Sequence, residues 1–294
     1  LVTLYDISAF KKIIRSMKNQ KMYEASDKMI SLIRDNYNLL QSLGSFGISL
    51  GFGDKTVKQV CDDQNVDTNT FLAVVNFTIN GERSDVDISE MSIPTLLRYL
   101  KASHEYYLGF QLPFIRKELT EAIDHTSGLG KLIMKLYDEY ARNITTHMKY
   151  EEKNVFPYIE NLLKGNFSGD FTIDTYSKHH GQEGDKLSEL KGIIIKYLPS
   201  DGLHNNKLSA TLYDIYNNED WLRLHADVEE NILIPAIKRL EEKHKKNGVG
   251  MNISNMLSKS SDAADTLGDR EKEVIVALVQ GMSNKEIADH LCIS

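Results

Sequence analysis

The sequence predicts an all-α fold built around a bundle of four long helices. Apolar residues recur every three or four positions over 92–123 and, approximately, over 128–164, 172–198 and 206–245, as they do on the buried face of a helix. No convincing strand-like alternation or hairpin turn accompanies them, and only five prolines interrupt the 294 residues. Long periodic segments joined by short connections are typical of a helical bundle.

Composition narrows the class of protein. The net charge of -7 gives the chain as a whole no attraction for nucleic acid or anionic membranes, so a DNA-binding part would have to be local. No apolar run approaches the roughly 20 residues that cross a bilayer, and the first residues lack the order of a signal peptide. The two cysteines, Cys61 and Cys292, lie far apart, so disulfides carry no part of the fold and a cytoplasmic location is expected.

The pattern changes along the chain and predicts five consecutive blocks. They are an uncertain leader (1–21), a small helical domain (22–88), the four-helix bundle (89–246), a linker rich in polar residues and glycine (247–266) and a partial helix-turn-helix (267–294). The small domain contains an amphipathic helix over 23–43, a glycine-rich turn over 44–55 and two short helices. Asp67 or Thr68 is expected to cap the second of these short helices.

Two of the bundle helices contain nearly the same phrase. HMKYEEKNVFPYI spans 147–159 and HADVEENILIPAI spans 225–237. In both, a histidine and a glutamate four residues later interrupt the apolar stripe, and single histidines interrupt the stripes of the other two helices. Buried carboxylates without partners would cost several kcal/mol each, so a cation is the expected partner. The candidate metal ligands are His104, His147, Glu151, His180, His225 and Glu229.

The depth of these residues in the bundle predicts a shared site. His104 lies about 22 residues before the first turn and His147 about 21 after it, which at ~1.5 Å per residue places both roughly 32 Å from the turn. His180 and His225 are both about 19 residues from the turn between helices three and four. If the two levels coincide, four imidazoles and two bridging carboxylates form a two-metal site suited to iron.

Neighbouring residues leave alternatives open. His179 competes with His180, although the stripe that includes Tyr176 favours His180. Glu152 and Glu230 fall about 100° from the ligand face of an ideal helix, so they are expected to be solvated or to hydrogen-bond to the ligands. Two prolines follow the glutamates, and they are expected to bend or end their helices. They are Pro157 and Pro235.

The pattern H-x-x-x-E-E-x-x-[VL]-[FI]-P, present twice, resembles the hemerythrin-like (HHE) cation-binding domain. With the small helical domain in front of it, residues 22–245 resemble the repair-of-iron-centres family of di-iron proteins. This resemblance implies a non-haem centre of two iron ions and puts the six candidate ligands on iron-ligand positions. His125 also matches a histidine of that family, but its depth places it at the turn, about 30 Å from the site.

One departure from that family concerns its thiols. The family's first domain commonly has a vicinal cysteine pair in the glycine-rich turn, where this chain reads GISLGFGDK over 47–55. Cys61 alone lies nearby, and it is expected to be a buried apolar residue. A mechanism that requires a thiol pair is therefore doubtful for this chain.

The last block resembles a LuxR-type helix-turn-helix. It contains REKEVI, a turn at Gly281 and a second helix opened by the capping pair Ser283 and Glu286. The recognition helix, which reads bases in the major groove, would follow Ser294. DNA binding is thus expected only if roughly 25 further residues complete the motif.

These features support three functions. The first is a cytoplasmic di-iron protein that repairs iron-sulfur clusters in oxidative or nitrosative stress, with damaged iron-sulfur proteins as partners. The alternative is a transcriptional regulator whose di-iron domain senses oxygen or nitric oxide. A plain oxygen carrier is the weakest, since it needs neither terminal block. No catalytic residue is assigned, whether the protein is an enzyme stays undecided, and a homodimer stays open.

Overall fold

The computed structural model describes residues 22–80, 88–166, 171–177, 185–198, 205–245 and 274. Within these ranges the regular elements are helices, and one isolated antiparallel bridge joins Lys28 to Thr56. The predicted all-α fold is confirmed. The predicted leader, the linker and all but one residue of the LuxR-like block lie outside the described residues. In the described part, no helix has both the length and the apolarity to cross a bilayer.

Within residues 22–80 the chain forms four short α-helices. They are α1 (Met29–Asp35), α2 (Leu39–Ser45), α3 (Val57–Asp63) and α4 (Thr68–Asn80). The side chain of Thr56 caps α3 together with Gln59 in a capping box. Asp67 rather than Thr68 caps α4, because its Oδ1 accepts from the backbone N–H of Thr70 at 2.8 Å.

The single helix predicted over 23–43 is wrong, since the chain breaks between α1 and α2. Asn36 has an extended backbone, and its side-chain Oδ1 accepts from the N–H of Asn38 at 3.2 Å. Asparagine favours such local turns over helix continuation. Upstream, the Tyr23 backbone N–H donates to Oδ1 of Asn76 at 2.8 Å, so this stretch is held by α4 instead of forming a helical turn.

The bundle follows with spans close to those predicted. Its helical segments are α5 (Ile93–Tyr106), α6 (Leu112–Ala122), α7 (Gly128–Tyr150), α8 (Phe156–Leu163), α9 (Ile173–Ser177), α10 (Asp185–Tyr197), α11 (Asn205–Val228) and α12 (234–245). Ser92 caps α5, with Pro94 in the first turn, where its missing N–H is not needed. In the turn between α6 and α7, Ser127 caps the N-terminus of α7, because its Oγ accepts from the N–H of Gly130 at 3.0 Å.

Three of the junctions between these helices are π-helical. In each π segment a backbone N–H bonds to the carbonyl five residues earlier, as Leu112 does to Tyr107. The segments are Tyr107–Gln111, Glu151–Val155 and Glu229–Leu233. Single π turns inside α-helices are rare and frequently mark functional sites.

A proline stands two residues after each π segment. The three are Pro113, Pro157 and Pro235. A proline inside a regular α-helix clashes with the carbonyl four residues earlier, and the wider π turn relieves this contact. The chain continues as a helix past both Pro157 and Pro235, so of the two expected effects, bending or ending the helix, the second is wrong.

The chain divides into two compact units, Leu1–Glu160 with Phe171–Ala236, and Asn161–Asp170 with Ile237–Ser294. In the first unit, α6, α7, α10 and α11 bury one core. Its members include Leu112, Ile115, Leu119, Ile133, Tyr137, Tyr140, Leu187, Leu190, Ile194 and Ile215. The short helices belong to the same unit, where the ring of Phe46 packs 4.5 Å from that of Tyr99. The predicted block boundaries stay predictions.

Candidate metal centre

Four metal-ligating side chains meet inside the first unit. One nitrogen or carboxylate oxygen of each lies within 4.8 Å of the others. They are His104, Glu151, His225 and Glu229, and none is more than 5% exposed. His104 lies near the end of α5 and His225 near the end of α11. The two glutamates are the first residues of the second and third π segments.

The ring nitrogens and carboxylates of this cluster face one another. Nε2 of His104 lies 3.2 Å from Nε2 of His225 and 3.2 Å from Oε2 of Glu151. Nε2 of His225 in turn lies 3.3 Å from Oε1 of Glu229. Side chains from helices distant in sequence therefore converge at one level of the bundle.

His147 lies at the edge of the cluster. Its Nε2 is 3.0 Å from Oε1 of Glu151, and its side chain is 24% exposed. Each repeated phrase thus places its histidine against its own glutamate, as the four-residue spacing on a helix requires. His180 and its competitor His179 lie outside the described residues.

His125 is not brought to the cluster. It is exposed in the turn between α6 and α7, where its Nδ1 lies 3.3 Å from the Thr120 carbonyl oxygen. The remaining histidine of the described part, His244, lies near the end of α12 and does not belong to the four-residue cluster either.

The second glutamate of each phrase behaves differently in the two copies. Glu152 places Oε1 3.3 Å from Nδ1 of His104, whereas Glu230 is exposed to solvent. An N–H at Nδ1 that donates to Glu152 leaves the lone pair on Nε2, which is the tautomer that a metal requires. Glu152 therefore orients a candidate ligand, in line with one of the two roles expected for it.

Tyr176 adds a contact that the sequence did not reveal. It sits in the short helix α9, is 3% exposed, and its hydroxyl donates a hydrogen bond to Oε1 of Glu151. Burial raises the pKa of Tyr176 strongly, and the charges of Glu229 and Glu151 raise it further, so the phenol keeps its proton. Its position on an apolar stripe was the available signal, because a buried phenol normally needs a hydrogen-bond partner.

Charge and burial compete within the cluster. Burial and the nearby charge of Glu229 oppose ionisation of Glu151, but hydrogen bonds from His104 and His147 outweigh them and lower its pKa. Burial opposes the charged form of His225, but the carboxylate of Glu229 outweighs it and raises the pKa of this imidazole. The raised pKa of His225 favours an imidazolium beside the carboxylates, and a bound cation would displace this proton.

The donor set fits iron. Imidazole nitrogens and carboxylate oxygens are the ligands of non-haem iron sites in helical bundles. Two fully buried carboxylates this close together need positive charge between them, because burial removes the screening by water. Carboxylates with two oxygens each can also bridge two ions.

Cys61 contributes nothing to this cluster. It is fully buried in α3, and burial raises its pKa to about 12, so the thiolate is not populated near neutral pH. The expectation of a buried, apolar-like cysteine agrees with this environment.

Comparisons with known proteins identify two segments. Residues 95–237 match the hemerythrin HHE cation binding domain, and residues 265–294 match the luxR family of bacterial regulatory proteins. No curated protein matches the chain significantly. The first match includes all four members of the buried cluster. The chain therefore contains a hemerythrin HHE domain, followed by a segment of the LuxR type.

Proposed function

We propose that the hemerythrin domain holds a non-haem centre of two iron ions. The observation that carries this proposal is the buried cluster of two imidazoles and two carboxylates within 4.8 Å. His147 joins it through Glu151. The proposed ligands are His104, His147, Glu151, His180, His225 and Glu229, of which His180 rests on the sequence pattern alone. Bound iron would supply one-electron chemistry and open positions for oxygen or nitric oxide.

The luxR-family match favours regulation of transcription as the role of this centre. A chain that joins a metal domain to a DNA-binding segment can report the state of the metal as a change in DNA affinity. Glu229 begins a π segment, and the same helix continues to residue 245 towards the LuxR segment in sequence. The proposed regulator acts in the cytoplasm, and a homodimer would match the paired half-sites typical of helix-turn-helix proteins.

A second candidate function is the repair of damaged iron-sulfur proteins in oxidative or nitrosative stress. The packing of the short N-terminal helices beside the cluster favours it. Ser103, which precedes His104, donates through Oγ to Ser45 of α2 at 3.1 Å. A similar small domain precedes the bundle in the repair-of-iron-centres family. The buried Cys61, however, offers no reactive thiol for moving iron.

Iron quantitation tests the metal centre. The full chain, loaded with ferrous iron without oxygen, is expected to retain about two ions per chain. Glu151→Ala and Glu229→Ala should lose iron, whereas Glu230→Ala, which changes an exposed glutamate of the same phrase, should retain it. Fewer than about two ions in the wild type, or unchanged iron in both site variants, would contradict the assignment.

Two further measurements separate regulation from repair. Promoter DNA binding is measured with a chain that carries the completed helix-turn-helix, in the metal-free, reduced and nitric-oxide-treated states. A regulator should change its DNA affinity between these states by about tenfold or more. A repair protein should instead restore activity to a damaged iron-sulfur enzyme with no such change. Optical spectra before and after oxygen or nitric oxide show whether the iron reacts at all.

A further inference from the structure

Three helices fix the orientation of one carboxylate. Glu151 lies at the start of a π segment and is fully buried. His147, from its own helix, contacts Oε1 at 3.0 Å, and His104 of α5 contacts Oε2 at 3.2 Å. Tyr176 of α9 donates its hydroxyl proton to Oε1. Of these three neighbours, two are candidate metal ligands and one is a phenol.

The phenol differs from the two imidazoles in what a bound metal would do to it. With a cation at the cluster, Nε2 of His104 and Nε2 of His147 would bind the metal, so neither would be left as a hydrogen-bond donor to Glu151. A protonated phenol keeps its donor. Since a carboxylate oxygen has two lone pairs, Oε1 can bind a cation and still accept from Tyr176.

α9 is placed so that the tyrosine reaches the cluster. In the described residues this helix spans Ile173–Ser177, and within that span the buried side chains are Ile173 and Tyr176. Ile173 is fully buried and anchors the first turn, while Tyr176 occupies the next turn with its hydroxyl on Glu151. A phenylalanine would fill the same apolar space, so packing alone does not account for the hydroxyl.

We infer that Tyr176 is a positioning residue that holds Glu151 by a hydrogen bond and tunes the redox balance of the metal centre. This inference rests on the proposed iron site. A donor to an anionic ligand withdraws electron density from it and weakens its bond to ferric iron more than its bond to ferrous iron. The hydroxyl therefore favours the reduced state of the centre.

The matched pair Tyr176→Phe and Tyr137→Phe tests the inference in the full chain. Tyr137 is also fully buried, and its hydroxyl donates to the Leu112 carbonyl oxygen at 2.7 Å, but it is not in the cluster. Each variant loses one buried phenol hydrogen bond. Tyr176→Phe is expected to favour ferric over ferrous iron about tenfold, a midpoint potential about 59 mV lower for one electron. Tyr137→Phe should keep the wild-type potential.

The measurements are iron content, midpoint potential and the visible spectrum. Equal potentials for the wild type and Tyr176→Phe would overturn the inference while leaving the iron site intact. A phenolate-to-iron absorption band in the ferric wild type, lost in Tyr176→Phe, would also overturn it, because Tyr176 would then be a ligand. A wild type that binds no iron would overturn the proposed function together with the inference.

A second substitution covers the case in which Tyr176→Phe fails to fold. 3-Fluorotyrosine placed at position 176 keeps the size of the ring and donates a stronger hydrogen bond to Glu151. It should shift the midpoint potential upwards, opposite to the expected effect of phenylalanine. A downward or absent shift would contradict the positioning role.

Discussion

Glu229→Gln should stabilise the metal-free protein and weaken its response to iron. The ligand atoms of Glu229 and Glu151 lie within 4.8 Å. Two unit charges at about 4.8 Å repel by about 3.5 kcal/mol at an effective dielectric constant of ~20. Glutamine removes this repulsion and also the desolvation cost of a fully buried carboxylate, which is several kcal/mol. Against these two gains, it loses an attraction to the His225 imidazolium of about 5 kcal/mol at 3.3 Å and the same dielectric constant. The metal-free variant should therefore be about 2 kcal/mol more stable, a rise in melting temperature of roughly 4–8 °C.

The order should reverse when iron is present. Ferrous iron at about 100 times its dissociation constant adds about 2.7 kcal/mol to the stability of the wild type. Glu229→Gln lacks one ligand charge and should gain much less. Both effects are measured by thermal unfolding, followed by circular dichroism in the absence of oxygen. Each protein is melted once with chelator and once with ferrous iron, and Glu230→Gln is the control. A metal-free variant that melts at or below the wild-type temperature, or an equal gain from iron in both proteins, would refute the reasoning.

Two further predictions use matched pairs in the chain. Glu152→Gln should weaken iron binding about 10-fold to 100-fold in equilibrium titrations, because it removes the carboxylate on Nδ1 of His104, whereas Glu230→Gln should have no effect. Gly130→Ala should lower the stability to urea by about 3 kcal/mol, because its Cβ would stand 2.0 Å from a backbone oxygen of the preceding turn. Gly128→Ala has open space and should cost far less, so equal losses in the two would show that this close approach is unimportant.

The long helices follow directly from residue spacing. A stripe of apolar residues on every third or fourth position can be buried only by a helix, and the segments of the bundle begin and end within a few residues of the predicted limits in the described part. A fixed rise per residue also allowed the histidines to be compared by depth. That comparison paired His104 with His147 and His180 with His225. In the structure, the Nε2 atoms of His104 and His225 lie 3.2 Å apart, so members of the two pairs meet at one site.

Other features depend on contacts that periodicity does not encode. The helix breaks at Asn36 because its side chain accepts a hydrogen bond from the backbone N–H of Asn38, although the apolar pattern continues across this position. The contact of Tyr176 with Glu151 requires the placement of α9, which follows a connection without periodicity. The π segments have apolar spacing close to that of an α-helix, so only the prolines behind them gave a signal in the sequence.

The three prolines behind the π segments have a consequence for comparing related chains. A π turn is equivalent to an α-helix with one residue inserted. That residue rotates the side chains that follow it by about 100° around the helix axis. Deleting one residue from Glu151–Val155 would rebuild a regular helix but would turn the following apolar side chains away from the interior. A relative without Pro157 should therefore be one residue shorter at this point, and an alignment that ignores this gap would mispair the core downstream of the glutamate.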